Sequence, residues 1–255
     1  MTDTKTSPAK RNCDGQPSLA PATCYASSSG TQYLNSDCMA VMREYPDAHF
    51  DIAICDPPYG IGWSQEFQVM SAGIRKDGTQ RKMEEWSNPR PKQYASKKWD
   101  DAAPGREYFV ELRRVSKKQI IWGGNYFTEH LPPSGGWVVW EKGVPDGMSL
   151  SQCELAWTNC LNSVRLVRLL WAGYKKCEET SRVHPTQKPV KLYSWLLNRY
   201  AEKGMKILDT HLGSGSSAIA CAQFGCEMVG CEIDAEYYAT AVERIGRELQ
   251  QGVML

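Results

Sequence analysis

Asp56-Pro57-Pro58-Tyr59 is the segment whose chemistry is most constrained by its residue types. Two adjacent prolines fix the backbone and remove two N–H donors, so this stretch offers carbonyl oxygens and the Asp56 carboxylate, all of them acceptors. Acceptors alone suit a group that brings only hydrogens, such as an amino group. An exocyclic ring amine is a poor nucleophile because its lone pair is delocalised into the ring. Accepting its two hydrogens at Asp56 and at the Pro57 carbonyl favours a pyramidal nitrogen whose lone pair can attack. Tyr59 adds a flat face on which a ring can stack. The plain alternative is a rigid Pro-Pro loop with a helix-capping Asp and a core Tyr.

A second chemical segment is KILDTHLGSGSSAIAC, from Lys206 to Cys221. It reads as a strand, a tight turn at Gly213 and Gly215 where a ligand approaches the backbone closely, and a helix that Ser216 or Ser217 caps. Glu232 follows 19 residues after Gly213, at the end of the next strand, where a carboxylate can accept both hydroxyls of a ribose. The spacing also satisfies the G-x-G-x-x-A dinucleotide fingerprint, and glycines can simply make a turn. Taken alone, this segment leaves a methyl donor, a nicotinamide dinucleotide and a plain turn all open.

The elements that must position these residues alternate as in parallel α/β folds. Apolar runs predict strands at Phe50 to Cys55, Gln119 to Trp122, Trp137 to Trp140, Lys206 to Leu208 and Met228 to Gly230. Asp56 therefore follows a strand directly, at the end of the sheet where open α/β folds bind ligands. Helical spacing appears at Tyr108, Leu112 and Val115, at Tyr193, Leu196, Leu197 and Tyr200 with Pro189 in the first turn, and at Tyr238, Val242, Ile245 and Leu249. Residues 1–30 are rich in Ser, Thr, Pro and Ala and predict a disordered tail before a single domain over 31–255.

With 42% hydrophobic residues and a formal charge of +1, the composition is that of an ordinary globular chain. No apolar run reaches the roughly 20 residues of a membrane span, and the polar start lacks the core of a signal peptide, which predicts a cytoplasmic protein without a membrane partner. Ten cysteines without a C-x-x-C pair predict reduced thiols and no metal site. Between Arg75 and Lys98, eight Lys or Arg stand against three acids, inside a stretch from Ile61 to Lys98 that fits neither helical nor strand spacing.

Together these motifs resemble the amino-methyltransferases of DNA, of the β class in which the catalytic motif precedes the cofactor motif. Asp56 to Tyr59 looks like their catalytic motif and Asp209 to Gly215 like their S-adenosylmethionine loop, with Asp209, His211, Gly213, Ser214 and Gly215 as cofactor residues. Glu232 matches the acid that binds the cofactor ribose, and Asp37 the acid near the adenine. His184-Pro185-Thr186-Gln187-Lys188-Pro189 is similar to the segment before that loop, which implies cofactor contacts for His184, Thr186 and Lys188. Without the motif, His184 and Lys188 would read as a cap and a solvated charge. The order Asp37, Asp56, His184, Gly213, Glu232 is the β-class order. WDDAAP, QIIWGGNYF and CELAWT look like stretches of phage and prophage members. His211 departs from the family, where Phe is usual.

The resemblance implies a Rossmann-like S-adenosylmethionine-dependent methyltransferase fold: a seven-stranded, mainly parallel sheet with helices on both faces. The strands ending at Leu208 and Cys55 then lie side by side at its centre. It implies a double-stranded DNA substrate, extrusion of the target base, no metal, and compatibility with a homodimer. Asp before Pro-Pro-Tyr favours adenine N6 over cytosine N4. The usual recognition region before His184 is short, so the irregular basic insertion over 61–98 is expected to contribute DNA contacts through Arg81, Lys82, Lys97 and Lys98. Their replacement by Ala should flatten the salt dependence of binding. The rivals are an NAD-dependent dehydrogenase, which leaves Asp56 to Tyr59 unexplained, an idle DNA-binding relic, and a methylase of RNA or protein glutamine, for which Asn in place of Asp56 is expected.

Overall fold

The computed structural model describes residues 24–26, 30–62, 100, 102–146, 150–172, 175–177 and 183–252. Strands β1 (Cys24–Ala26) and β2 (Gln32–Asn35) lead into helix α1 (Cys38–Arg43) and β3 (Phe50–Cys55). After α2 (Arg106–Val115) come β4 (Ser116–Trp122), a single 3-10 turn (Gly124–Tyr126), β5 (Trp137–Glu141), β6 (Cys153–Thr158) and β7 (Val164–Arg168). A small pair, β8 (Trp171–Ala172) and β9 (Lys175–Lys176), precedes α3 (Val190–Tyr200), β10 (Lys206–Asp209), α4 (Ser216–Phe224), β11 (Glu227–Glu232) and α5 (Ala235–Gly252). None of the described helices is long and apolar enough to cross a membrane.

The main sheet runs β1-β2-β11-β10-β3-β4-β6-β5-β7. The two segments of chemical interest end on neighbouring strands: β10 pairs in parallel with β3, Ile207 opposite Ile52 and Leu208 opposite Ala53. Five of the neighbouring pairs are parallel; β1 with β2, and β6 with both β4 and β5, are antiparallel. Central strands such as β3 are buried on both faces, which is why they read as unbroken apolar runs rather than alternation. Ile52, Ile54, Ile120 and Ile207 join α3, α4 and α5 in one core; Ala53, Cys55, Ile121 and Leu208 join α1 and α2 in the other. Helices thus cover both faces, and α4 lies between α3 and α5.

Four expectations need correction. Among the described residues the sheet has nine strands rather than seven, because a further strand lies at each edge: β7, whose apolar pattern is broken by Arg165 and Arg168, and β1. β1 falls within the expected tail, yet its Cys24, Tyr25 and Ala26 pair with Leu34, Tyr33 and Gln32, so this part belongs to the sheet. Pro189 is the N-cap of α3 and not its first helical residue. Gly215, in the left-handed region at φ 75°, caps α4 in place of Ser216 or Ser217, whose hydroxyls bond elsewhere. The rest of the expected tail, and the insertion with Arg81, Lys82, Lys97 and Lys98, lie outside the described residues.

Candidate active site

Because β4 is antiparallel to β6, and β6 to β5, the start of β6 lies at the same sheet edge as the ends of the other strands. That edge gathers Asp37 beyond β2, Glu232 on β11, Asp209 on β10, Asp56 after β3, Gly123 after β4, Lys142 after β5 and Glu154 on β6. It is the carboxyl edge, where parallel sheets bind their ligands.

On the β3 side, the Asp56 carboxylate accepts from the Tyr59 hydroxyl at 2.8 Å through Oδ1 and from Lys188 Nζ at 2.5 Å through Oδ2. Asp100, almost fully buried, pins the loop: its Oδ1 accepts from the Tyr59 and Gly60 amides at 2.8 and 3.0 Å. The Tyr59 ring stacks on Tyr126 with centroids 5.0 Å apart and planes 16° apart. Gly123 lets the 3-10 turn pass over that ring: a Cβ there would lie 2.2, 2.5 and 2.7 Å from Cε1, Cδ1 and Cζ, distances that put it above the ring face rather than beyond its edge.

On the β10 side, Glu232 ties the glycine turn to β11, its Oε2 accepting from the Gly213 amide at 2.9 Å and its Oε1 from the Asp234 amide at 3.0 Å. Each carboxylate oxygen keeps a lone pair for a further donor. Buried Asp209 holds the turn from below, accepting from the His211 amide at 3.0 Å and the Ser217 hydroxyl at 2.5 Å. Ser214 accepts through its carbonyl from Arg244, and its hydroxyl pairs with that of Ser216. Asp37 caps α1 through the Met39 and Ala40 amides, while the Ser36 amide donates to the Glu232 carbonyl. Both expected acids therefore stand at the ends of adjoining strands.

His184 to Pro189 crosses between the two sides. His184 packs edge-on against Tyr237 of α5, its Nδ1 lies 3.1 Å from the Thr186 hydroxyl, and it lies 3.9 Å from the position of a Cβ on Gly213. Four residues later Lys188 reaches Asp56. Its ammonium pairs with Asp56 and, at 3.2 Å, with Glu154, which supply the anions that a buried ammonium needs. Asp37, His184, Thr186, Asp209, His211, Gly213, Ser214, Gly215 and Glu232 lie on the β10 side, and Asp56 to Tyr59 on the β3 side.

Burial dominates the electrostatics of the site. Burial, with the charges of Asp56 and Glu232, pushes the Asp209 carboxyl up to about 7, and burial also raises Glu232. Burial lowers His211 to about 4, so its imidazole is neutral at physiological pH and does not repel positive charge. Burial works against charge on Lys188, but Asp56 and Glu154 more than offset it and hold the ammonium above its usual range. Within the crossing segment, the Oε1 of buried Gln187 accepts from the Val183 amide, while its Nε2 has no partner among the described residues. A buried donor left over at a site is the kind of group that a bound molecule satisfies.

Sequence reasoning missed Asp100, Gly123, Tyr126, Lys142, Glu154 and Arg244. Four of these lie within the stretches WDDAAP, QIIWGGNYF and CELAWT, whose resemblance carried no role for any one residue. Lys142 had no signal. Arg244 had one: it sits at helical spacing from Tyr237 and Ala241, a cation on a buried face.

A family of DNA methylases, the N6/N4 type, matches residues 139–243. The chain is 24% identical to "Putative methylase YubD" of Escherichia coli strain K12 over 241 residues, 87% of this chain and 94% of that one. It is 31% identical over 90 residues to the type II methyltransferase M2.DpnII of Streptococcus pneumoniae, a match that covers 34% of each chain. Among solved structures, the PvuII DNA methyltransferase, named as cytosine-N4-specific, shares the fold with a TM-score of 0.53 at 11% identity, over 87% of this chain and 92% of that one.

Proposed function

We propose that the chain, which the N6/N4 family of DNA methylases matches over residues 139–243, transfers a methyl group from S-adenosylmethionine to the exocyclic N6 of adenine in double-stranded DNA. The observation that carries this reading is the pairing of β3 with β10, which sets an acceptor-lined Asp-Pro-Pro-Tyr loop next to a glycine turn backed by carboxylates. A dehydrogenase accounts for the glycine turn and leaves the Asp-Pro-Pro-Tyr loop without a role.

Glu232 and Asp37 would hold the ribose and adenine ends of S-adenosylmethionine, and His184, Thr186, Asp209, His211 and Gly213 to Gly215 would line the rest. When bound, that molecule supplies an electrophilic methyl group on a cationic sulfur. The protein's own part is to present the amine. Asp56 and the Pro57 carbonyl accept its two hydrogens, Pro58 keeps the loop rigid, and Tyr59 gives the base a stacking face after its extrusion from the duplex. Burial raises the Asp56 carboxyl above its ordinary value and Lys188 opposes that rise; Asp56 is assigned the part of an acceptor that orients the amine. Arg81, Lys82, Lys97 and Lys98 are proposed to contact the DNA backbone.

Asp as the first residue of the tetrapeptide supports adenine over cytosine. The second reading, cytosine N4, uses the same geometry, and the PvuII enzyme has that specificity in its name. Direct detection of modified bases in the DNA of a host expressing the chain tests both. N6-methyladenine at a defined sequence is expected, N4-methylcytosine would install the second reading, and an unmodified genome beside folded, cofactor-binding protein would overturn both.

A further inference from the structure

Behind Asp56 runs a line of alternating charges that extends past Lys188 to Glu154 and Lys142. Asp56 pairs with Lys188, Lys188 with Glu154 Oε2 at 3.2 Å, and Glu154 Oε1 with Lys142 at 3.1 Å. The four residues come from the loop after β3, the segment before α3, the start of β6 and the loop after β5, so the line ties together strands that flank the acceptor loop. The Lys188 side chain is 4% exposed, which denies its ammonium the hydration it would otherwise keep. Two rings wall it in, with Nζ 5.4 Å from the Trp122 centroid and 5.7 Å from that of Tyr59. Its position is therefore decided by competition between two carboxylates.

We infer that Glu154 is a positioning residue for methyl transfer: as the second anion against Lys188 it fixes the ammonium at Asp56 Oδ2, so that the remaining lone pairs of that carboxylate stay open to the target amine. This rests on the proposed function. An ammonium has three hydrogens to give, and a carboxylate has about four sites at which to accept them. Lys188 donates to Asp56 Oδ2 at 2.5 Å and to the Tyr59 hydroxyl at 3.3 Å and pairs with Glu154 Oε2 at 3.2 Å, while the Tyr59 hydroxyl donates to Asp56 Oδ1. Each oxygen of Asp56 then keeps a lone pair for the amine. Without Glu154, Asp56 is the one anion left against the ammonium, which is free to swing across both of its oxygens and compete with the amine for them. Lys142 steadies Glu154 from the other side and completes the charge balance.

The titratable groups around Lys188 are Asp56, Tyr59 and Glu154, with Lys142 behind Glu154, Tyr193 of α3 within range of both carboxylates, and Asp209 one strand away. Glu154→Gln removes one of the two charges that hold the Lys188 proton, so its loss should occur at lower pH. The test compares wild type, Glu154→Gln and Glu154→Asp. The readouts are kcat, KM for DNA and for S-adenosylmethionine, and the ε-carbon NMR titration of Lys188 in the cofactor-free protein. Glu154→Gln is expected to lower kcat about tenfold or more with KM for S-adenosylmethionine little changed, and to move the Lys188 titration down by about one pH unit or more. Glu154→Asp, which keeps the charge, should restore most of the titration shift and part of kcat, and stands as the informative variant if Gln prevents folding. A Gln variant with wild-type kcat and an unmoved Lys188 titration overturns the inference, as does equal loss of kcat in Gln and Asp variants with neither titration moved. If wild type itself methylates no DNA, it is the proposed function that falls instead.

Discussion

Arg244 on α5 donates from Nη1 to the Ser214 carbonyl at 2.8 Å and to the Ser216 hydroxyl at 2.9 Å, bracing the glycine turn from the far side of α4. It is almost fully buried, so both bonds form away from water. Arg244→Met keeps the bulk of the stem but strands the Ser214 carbonyl. A lost buried bond to a charged donor costs about 1.5–3 kcal/mol. Thermal unfolding should show that loss, and titration calorimetry should show S-adenosylmethionine bound about tenfold more weakly, since the turn is no longer preorganised. Unchanged affinity would separate the brace from the ligand.

Asp56→Ala should abolish transfer and spare cofactor affinity, because Asp56 stands on the β3 side and makes none of the bonds that shape the glycine turn. Single-turnover methylation alongside cofactor titration checks both halves of this statement. Substantial residual turnover would remove the acceptor role.

Gly123→Ala should disturb Tyr59 more than any nearby substitution. The residue has φ 69°, in the left-handed region, and its Cβ would overlap the aromatic ring at 2.2 Å. Moving the ring also breaks the 2.8 Å bond from the Tyr59 hydroxyl to Asp56. We expect a stability loss of about 1–3 kcal/mol from backbone strain and overpacking, and a fall in kcat larger than that in cofactor affinity. Denaturant unfolding and steady-state kinetics on the same preparation distinguish this from simple unfolding.

His211→Phe should make the protein more resistant to mild acid. The imidazole is buried and lowered to about 4, so between the ordinary histidine value of 6.5 and pH 4 the unfolded chain takes up a proton that the native chain refuses. Stability contributed by the neutral ring is complete above pH 6.5 and is lost as pH falls through that window. Asp209, raised to about 7, works in the opposite sense: its native carboxyl holds a proton that the unfolded chain has released, so its contribution is lost as pH rises from about 4 towards 7. The Phe variant removes only the first effect. Relative to wild type it should gain about 1–3 kcal/mol on going from pH 7.5 to 4.5, measured by urea unfolding at both values. A difference that does not change with pH would contradict the buried neutral ring.

Much of the site was legible because its key groups sit at strand ends that apolar runs announce. Phe50 to Cys55 was read with its observed bounds, and with it the place of Asp56. The glycine turn and Glu232 were legible for the same reason. What a linear reading lacks is the direction of a long side chain: Lys188 lies four residues from His184, and no spacing rule says that the one serves the acceptor loop while the other packs beside the donor turn. Glu154 and Lys142 were hidden because their meaning is their partner. The edge strand β7 was hidden because Arg165 and Arg168 interrupt its apolar residues, and β1 because three residues cannot display a period.

The position of β10 between β3 and β11 has a consequence for synthesis. Five strands, β3 to β7, leave the ribosome before the strand that closes their inner border, and β2 must wait longer still for β11. Until Lys206 to Asp209 emerge, β3 is a bare apolar border, the kind of surface that recruits other chains. A translation product halted shortly before that point would carry the whole Asp-Pro-Pro-Tyr loop and yet be a sticky, inactive fragment, so stalled synthesis should yield aggregates rather than a dormant half-enzyme.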